Sequence, residues 1–343
     1  MTILTIAIPI YNMEQWLSKN LATYCDPTLV GRLEILCLNN ASTDRSRDII
    51  DQYVREYPQL FTLINRNSRG YGGSINEAIH KAQGMYFRIV DADDWVDTQE
   101  LIKEINAIED DHYDIVLTDY QIVNMEGGAA RSVLAKEFGV EYGVEYRDFS
   151  APRRTLPSIH GITYRTELLR ESRFQMQDNT FFVDEEYVVL PYLRARNMIY
   201  YPFNVYRYQI ANPEQSTSPK NRGKYQEHRE RVLKRLITEY QDTALSSKDI
   251  SSDALEYCWE RIKRGIADHY TTLLIYVEDR KAGRNYAYKW TRYLKEQSVP
   301  IHCKGKRFVL LLLNFLRITP VQYVRLKHST ATIVAKFGHQ LYI

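Results

Sequence analysis

The chain has 343 residues, of which 44% are hydrophobic and 26% charged, with a net charge of +2. That length suits one domain of ordinary size with a smaller region beside it, and the composition is globular, which excludes disordered, collagenous and membrane-spanning classes. Four scattered cysteines (Cys25, Cys37, Cys258, Cys303) without a CxxC pair exclude a disulfide framework and a thiolate zinc site and fit a reducing compartment.

Taken in order, residues 3–10 are a near-continuous apolar run ending in Tyr11-Asn12. They read as a first strand covered on both faces, not a signal peptide, since no basic segment precedes them. Helical periodicity follows over 14–24, then an apolar run at 33–38 that ends in Asn39-Asn40-Ala41-Ser42-Thr43-Asp44. The same alternation predicts a helix over 44–56, a strand over 60–64, a helix over 70–83 behind a glycine-rich turn, and a strand over 85–90. A helix over 97–108 and a strand over 114–123 complete it. Strands alternating with helices of this length imply right-handed crossovers and an α/β fold with a mostly parallel sheet. From 129 to 208 the pattern is irregular and aromatic, 212–222 is a Pro/Ser/Asn-rich loop, and 224–240, 254–276 and 285–297 read as amphipathic helices.

The chemistry-bearing motifs follow the first, second and fourth strands, so all three fall on one edge of a parallel sheet, where ligands of open α/β sheets bind. After the fourth strand comes Asp91-Ala92-Asp93-Asp94. Carboxylates there cannot be buried unpaired, and a hard divalent cation shared with substrate phosphates would hold them. A solvated acidic turn is the alternative. The turn at Gly70-Tyr71-Gly72-Gly73-Ser74 opens a helix; it either lets backbone amides approach a phosphate or sugar or is a tight strand-to-helix connection. It is not a Walker loop, since no Gly-Lys-Ser/Thr follows.

Together these residues resemble glycosyltransferase family 2. Pro9-Ile10-Tyr11-Asn12 matches the family's opening strand end, and 39–44 its second-strand turn. Asn67, Gly70 and Asn76 match the segment that follows, and Asp91, Asp93 and Asp94 the acidic motif. The resemblance covers residues 1–125, weakens to about 220, and departs at Asn39-Asn40, where the family usually carries an Asp pair. It implies a GT-A fold: a mostly parallel sheet flanked by helices, with a helical C-terminal region. The expected organisation is a nucleotide-sugar-binding half over 1–125, an acceptor-binding half over 126–220, a helical region over 221–300 and a basic tail over 301–343.

By the same resemblance Pro9, Tyr11, Asn12, Asn39, Asn40, Gly72, Gly73, Asp91, Ala92 and Asp93 would bind the nucleotide sugar, uracil being the usual base. Asp93 with Asp91 would bind Mn²⁺ or Mg²⁺. Val183-Asp184-Glu185-Glu186-Tyr187 resembles the family's acidic catalytic motif, with Asp184 as the base, or Glu185 in the other alignment. His160, Arg207 and Gln215 are candidates for the acceptor site or a closing loop, each with a structural alternative. The implied activity is inverting, metal-dependent transfer from a nucleotide sugar, expected to be UDP-linked, to a glycan or glycoconjugate hydroxyl in surface polysaccharide assembly. A non-catalytic scaffold and a sugar nucleotidyltransferase are the competing readings. The latter would need a basic Gly-rich loop where Tyr11-Asn12-Met13-Glu14 stands.

Beyond Glu296 the chain has no Asp or Glu but carries Lys304, Lys306, Arg307, Arg317, Arg325, Lys327 and Lys336. The apolar stretch 308–316 is far short of the roughly 20 residues that span a bilayer. It suits an interfacial helix on an anionic leaflet or a last helix packed on protein. The expected setting is cytoplasmic, with this tail as a contact to the inner face of the plasma membrane. Nucleic acid is not an expected partner, and oligomerisation is open.

Overall fold

The computed structural model describes residues 1–68, 70–124, 129–134, 141–147, 158–210, 218–246, 250, 252–300 and 303–327. They pack as two compact units, Met1–Asn212 with Leu236–Glu260, and Pro213–Arg235 with Arg261–Ile343.

The first unit is built on a mixed sheet. The strands β1 (Leu4–Ile10), β2 (Leu33–Asn40), β3 (Phe61–Arg66) and β4 (Tyr86–Ile89) alternate with the helices α1 (Glu14–Ala22), α2 (Ser46–Glu56) and α3 (Tyr71–Lys81). β1 pairs in parallel with β2 and β4, and β2 with β3, as alternating strands and helices require. Every residue of β1 is buried, which explains its unbroken apolar sequence. Pro9 lies beyond the last β1–β4 pair, Ala7–Ile89, where its missing N–H costs nothing on that side.

The chain continues through β5 (Trp95–Val96), α4 (Thr98–Ile108), β6 (Ile115–Val123), β7 (Ala129–Val133), β8 (Tyr146–Arg147), β9 (Ile162–Arg165), α5 (Thr166–Glu171), α6 (Asp184–Val189) and β10 (Asn197–Gln209). The sheet runs β3-β2-β1-β4-β9-β6-β10-β5, with β7 on β6 and β8 on β10. β9 enters antiparallel between β4 and β6, whereas β6 and β10 are parallel. The β6–β10 register breaks around Asn204, close to Pro202, which cannot donate to a ladder. Such an irregularity re-aims the residues after it, here Tyr206 and Tyr208.

One fully buried ion pair ties the sheet centre together. Arg88 on β4 meets Glu104 on α4 at 2.5 Å and donates to Thr118 Oγ1 and to the His160 carbonyl, both at 2.8 Å. Glu104 also accepts from Thr163 Oγ1 at 2.8 Å. Each charge therefore keeps partners, without which burial would be strongly destabilising.

The helices α7 (Pro219–Lys224), α8 (Gln226–Ser246), α9 (Ser252–Thr271), α10 (Arg280–Glu296) and α11 (Lys304–Phe315) follow. α8 and α9 each contribute residues to both units. In the second unit α9 runs into a π-helical turn, Thr272–Tyr276, which frees backbone carbonyls. Arg280 donates to the Leu274 and Ile275 carbonyls at 3.2 and 2.7 Å, and Asn314 Nδ2 to Leu274 O at 2.7 Å. Nearby, Arg222 and Arg229 both pair with Asp268.

Candidate active site

The ends of β1 and β2 are locked to each other. Asn12 sits in the left-handed region at φ 52°, a conformation Asn tolerates better than most residues. Its Oδ1 accepts from the Thr43 amide at 2.8 Å, and its amide donates to Ser42 Oγ at 3.2 Å. The Met13 amide donates to Ser46 Oγ at 2.8 Å, and Glu14 and the Asp44–Arg45 pair exchange two further bonds. Pro9 is buried and Tyr11 half-buried beside this network.

Asn39 and Asn40 are both buried. Asn39 Oδ1 accepts from the Ser42 amide and its Nδ2 donates to Asn65 Oδ1, each at 3.2 Å. Asn40 Oδ1 accepts from Ser74 Oγ at 2.6 Å and from Arg66 at 3.2 Å. The Asn40 carbonyl thus fastens β2 to β3 and α3, while the Asn39 carbonyl closes its own turn and its amide reaches β3. Arg66 further binds the Gly70 carbonyl at 2.8 Å and Ser74 Oγ at 2.7 Å.

Gly72 and Gly73 lie against the segment 176–178. A Cβ on Gly72 would run into the Gln177 carbonyl, so this position tolerates only glycine without a shift. The Gly73 amide donates to Asp178 Oδ1 at 3.1 Å, giving the helix N-terminus an internal anion. Asn76 clamps Met176 through two bonds, 2.7 Å to its amide and 2.9 Å to its carbonyl.

The acidic loop after β4 is held from four directions. Asn20 Nδ2 donates to the Asp91 and Asp94 carbonyls at 3.1 and 2.8 Å. Tyr71 donates to Asp91 Oδ1 at 2.9 Å. The Tyr206 hydroxyl donates to Asp94 Oδ2 at 2.6 Å and accepts the Asp91 amide at 3.1 Å. Asp94 Oδ1 accepts the Gln209 amide at 2.7 Å. Desolvation, then the charge of Asp93, raises the Asp91 carboxyl to about 7, against the lowering bond from Tyr71. Burial, then Asp93 and Asp91, raises Asp94 well above the carboxylate range. Ala92 is buried and Asp93 half-buried between them.

His160 belongs to the same cluster. Its ring stacks on Tyr208 at 4.1 Å between centroids and lies 4.7 Å from Tyr206, and its Nδ1 is 2.7 Å from Ser158 Oγ. Burial, then the Arg88 charge, lowers it to about 3, so it is neutral at pH 7. Asp91, Asp94 and His160 each offer a ligand atom within 4.8 Å of the others. Oxygen donors packed closely enough to repel fit a hard divalent cation. Both Asp94 oxygens accept protein hydrogen bonds, from Tyr206 and the Gln209 amide, and Asp91 Oδ1 accepts one from Tyr71.

The acidic motif opens α6 and divides its three residues. Glu186 is fully buried and accepts from the Gln177 amide at 2.8 Å and from the Gln177 side chain, a structural task. Asp184 is exposed and Glu185 half-buried. After burial, the Tyr208 hydroxyl is raised by the charges of Asp94, Asp91, Asp93 and Asp184 together. Asp184 is therefore near enough for its charge to be felt at Tyr208 and at Asp91. Phe182, two residues before Asp184, has φ 66°, an uncommon strain for a bulky side chain.

Arg207 takes no part in this convergence. Strand alternation turns it away from Tyr206 and Tyr208, and it donates to Asp97 Oδ2 at 2.9 Å and to the Asn204 carbonyl at 2.5 Å. Gln215 lies outside the described residues. The sequence reading named Tyr71 and Asp94 within motifs without giving either a role, and did not single out Asn20, Tyr206 and Tyr208. The one signal for the last two was a tyrosine at alternate positions of an aromatic run.

Residues 5–173 match the family model for glycosyl transferase family 2. These residues form a glycosyl transferase family 2 domain. The chain is 33% identical over 126 residues to a poly(ribitol-phosphate) beta-glucosyltransferase of Bacillus spizizenii, an overlap of 36% of this chain and 20% of the relative. It is 24% identical over 203 residues to the poly(ribitol-phosphate) beta-N-acetylglucosaminyltransferase TarS of Staphylococcus aureus, 57% of this chain and 33% of TarS. The overlap thus spans a fifth to a third of those relatives' lengths. Residues 1–349 of S. aureus TarS, solved with UDP-GlcNAc, share the fold at a TM-score of 0.55 and 16% identity, over 87% of this chain and 93% of that one. The Pyrobaculum calidifontis mannosyltransferase PcManGT, solved with GDP-Man and Mn²⁺, aligns at 0.50 and 15% identity, over 91% and 86%. The family 2 domain therefore has the GT-A fold, with a mixed sheet flanked by helices and further helices after it.

Proposed function

We propose that the chain transfers a sugar from a nucleotide-sugar donor, UDP-linked, to a hydroxyl of a glycan or glycoconjugate acceptor, with inversion at the anomeric carbon. The observation that carries this reading is the acidic loop Asp91–Asp94 at the end of β4, braced by Tyr71 and Tyr206 within a family 2 domain. Asp184 on α6, whose charge is felt at Asp91, is the base. Pro9, Tyr11 and Asn12 with the Asn39–Asn40 turn flank the nucleobase; Gly72, Gly73 and Ala92 border the donor; Asp91 meets the ribose. Asp93 and Asp91 would hold Mn²⁺ or Mg²⁺, which would supply positive charge to stabilise the departing diphosphate. Asp184 takes the proton of the acceptor hydroxyl as its oxygen forms a bond to the anomeric carbon and the bond from that carbon to the diphosphate oxygen breaks. Neutral His160 packs beneath Tyr208 and shapes the acceptor side.

The complexes of TarS with UDP-GlcNAc and of PcManGT with GDP-Man and Mn²⁺ support a nucleotide-sugar donor and a metal. The relatives named for poly(ribitol-phosphate) support a surface polymer as acceptor. A non-catalytic scaffold is the second reading, favoured by the internal bonds of the Asn39 and Asn40 carbonyls.

The test is nucleoside diphosphate release from UDP-, GDP-, CDP- and TDP-sugars with Mn²⁺, with and without EDTA, and donor binding by calorimetry alongside. Metal-dependent release from one donor, lost in Asp93→Ala, supports the transferase. Neither release nor metal-dependent binding of any nucleotide supports the scaffold.

A further inference from the structure

Within the second unit, α11 has two faces. Leu310 and Asn314 are buried. Arg284 donates to Asn314 Oδ1 at 2.7 Å, and Asn314 in turn to the π-turn carbonyl of Leu274. Arg280 binds the Ile318 carbonyl at 2.8 Å just past the helix. These bonds fix the helix about its own axis. The opposite face carries Phe308, Val309, Leu312, Phe315 and Leu316 at helical spacing, 46% to 71% exposed. The helical residues 320–327 add exposed Val321 and Val324. A contiguous exposed apolar stripe of this kind marks an interaction site, not the scattered exposure of an ordinary surface.

The charges around the stripe select its partner. Lys304, Lys306 and Arg317 are exposed at its two ends, as are Arg325 and Lys327 beyond. From Gln297 to Ile343 the sequence has seven Lys or Arg and no acidic residue. No helix among the described residues is long and apolar enough to cross a membrane. A purely apolar partner would not need this one-signed rim. An apolar face ringed by cations matches the boundary between acyl chains and anionic headgroups.

We propose that α11 and the helical residues after it rest on an anionic lipid surface, burying the Phe308–Leu316 stripe at the acyl boundary. This contact is independent of the transferase reading and of the family 2 domain.

Co-sedimentation of the full chain with vesicles tests it, using phosphatidylcholine alone and phosphatidylcholine with phosphatidylglycerol. Binding is expected only with the anionic lipid and should fall in high salt. Phe308→Ser with Leu316→Ser should weaken it at least about tenfold, from the apolar area lost. Lys304→Gln with Arg317→Gln should weaken it roughly fivefold per charge. All four side chains are exposed, so thermal unfolding should not move. Equal binding to both vesicle types, or none, overturns the proposal. So does a dimer in light scattering that Phe308→Ser with Leu316→Ser converts to monomer, because the stripe would then be an interface between copies.

Discussion

The Tyr206 hydroxyl donates to Asp94 Oδ2 at 2.6 Å and accepts the Asp91 amide at 3.1 Å. One side chain of β10 thereby sets both ends of the acidic loop. Tyr206→Phe keeps the ring that packs on His160 and removes only the hydroxyl, leaving a buried carboxyl short of a partner. That should cost about 1–3 kcal/mol, read as a lower thermal midpoint. Donor affinity should fall with it, because the loop that carries Asp91 and Asp93 loses its brace.

The Arg88–Glu104 pair makes a prediction of stability. Arg88→Met leaves Glu104 buried and charged beside Thr163 alone, and should cost about 3–5 kcal/mol. Arg88→Met with Glu104→Met removes both charges and should recover most of that loss. Comparative urea unfolding of the single and double variants checks it. An equal loss in both would mean that packing, not charge, dominates there.

His160 and Asp91 give opposite dependences on pH. His160 is depressed from 6.5 to about 3, so its contribution is present above about 6.5 and lost as pH falls toward 3, at up to about 1.4 kcal/mol per unit. Asp91 is raised from 3.8 to about 7, so its contribution is present below 3.8 and lost as pH rises through 7. In EDTA, His160→Asn should flatten the acid loss of stability between pH 6.5 and 4, and Asp91→Asn should steepen it.

Gly72 lies against the Gln177 carbonyl, and the same segment leads toward α6. Gly72→Ala should destabilise by about 1–3 kcal/mol. Gly305 on α11 meets nothing within 4 Å of an added Cβ, so Gly305→Ala should be neutral or slightly stabilising. Thermal unfolding of the two variants separates close packing from a general intolerance of substitution.

What the sequence revealed follows from what is local. β1 to β4 and their helices could be read because a strand buried on both faces has to be an apolar run and each crossover helix has to be amphipathic. Asp91 and Asp93 were visible because they leave such a strand directly. Asp94 stood in the same motif, yet its task as anchor for Tyr206 and Gln209 depends on pairing across 112 and 115 residues. β10 went unread for a similar reason: Pro202 and a register shift interrupt its alternation. The separation of Glu186 from Asp184 needed the Gln177 contact, which no spacing within the motif announces.

The most direct measurement compares nucleoside diphosphate release by Asp184→Asn and Glu185→Gln with the unaltered chain, on whichever donor binds. Loss of a general base predicts a fall of about 10²–10⁴-fold in Asp184→Asn with donor binding retained, and less than about tenfold in Glu185→Gln. Release at the unaltered rate in Asp184→Asn, or the large loss appearing in Glu185→Gln instead, would contradict the assignment of Asp184 as the base.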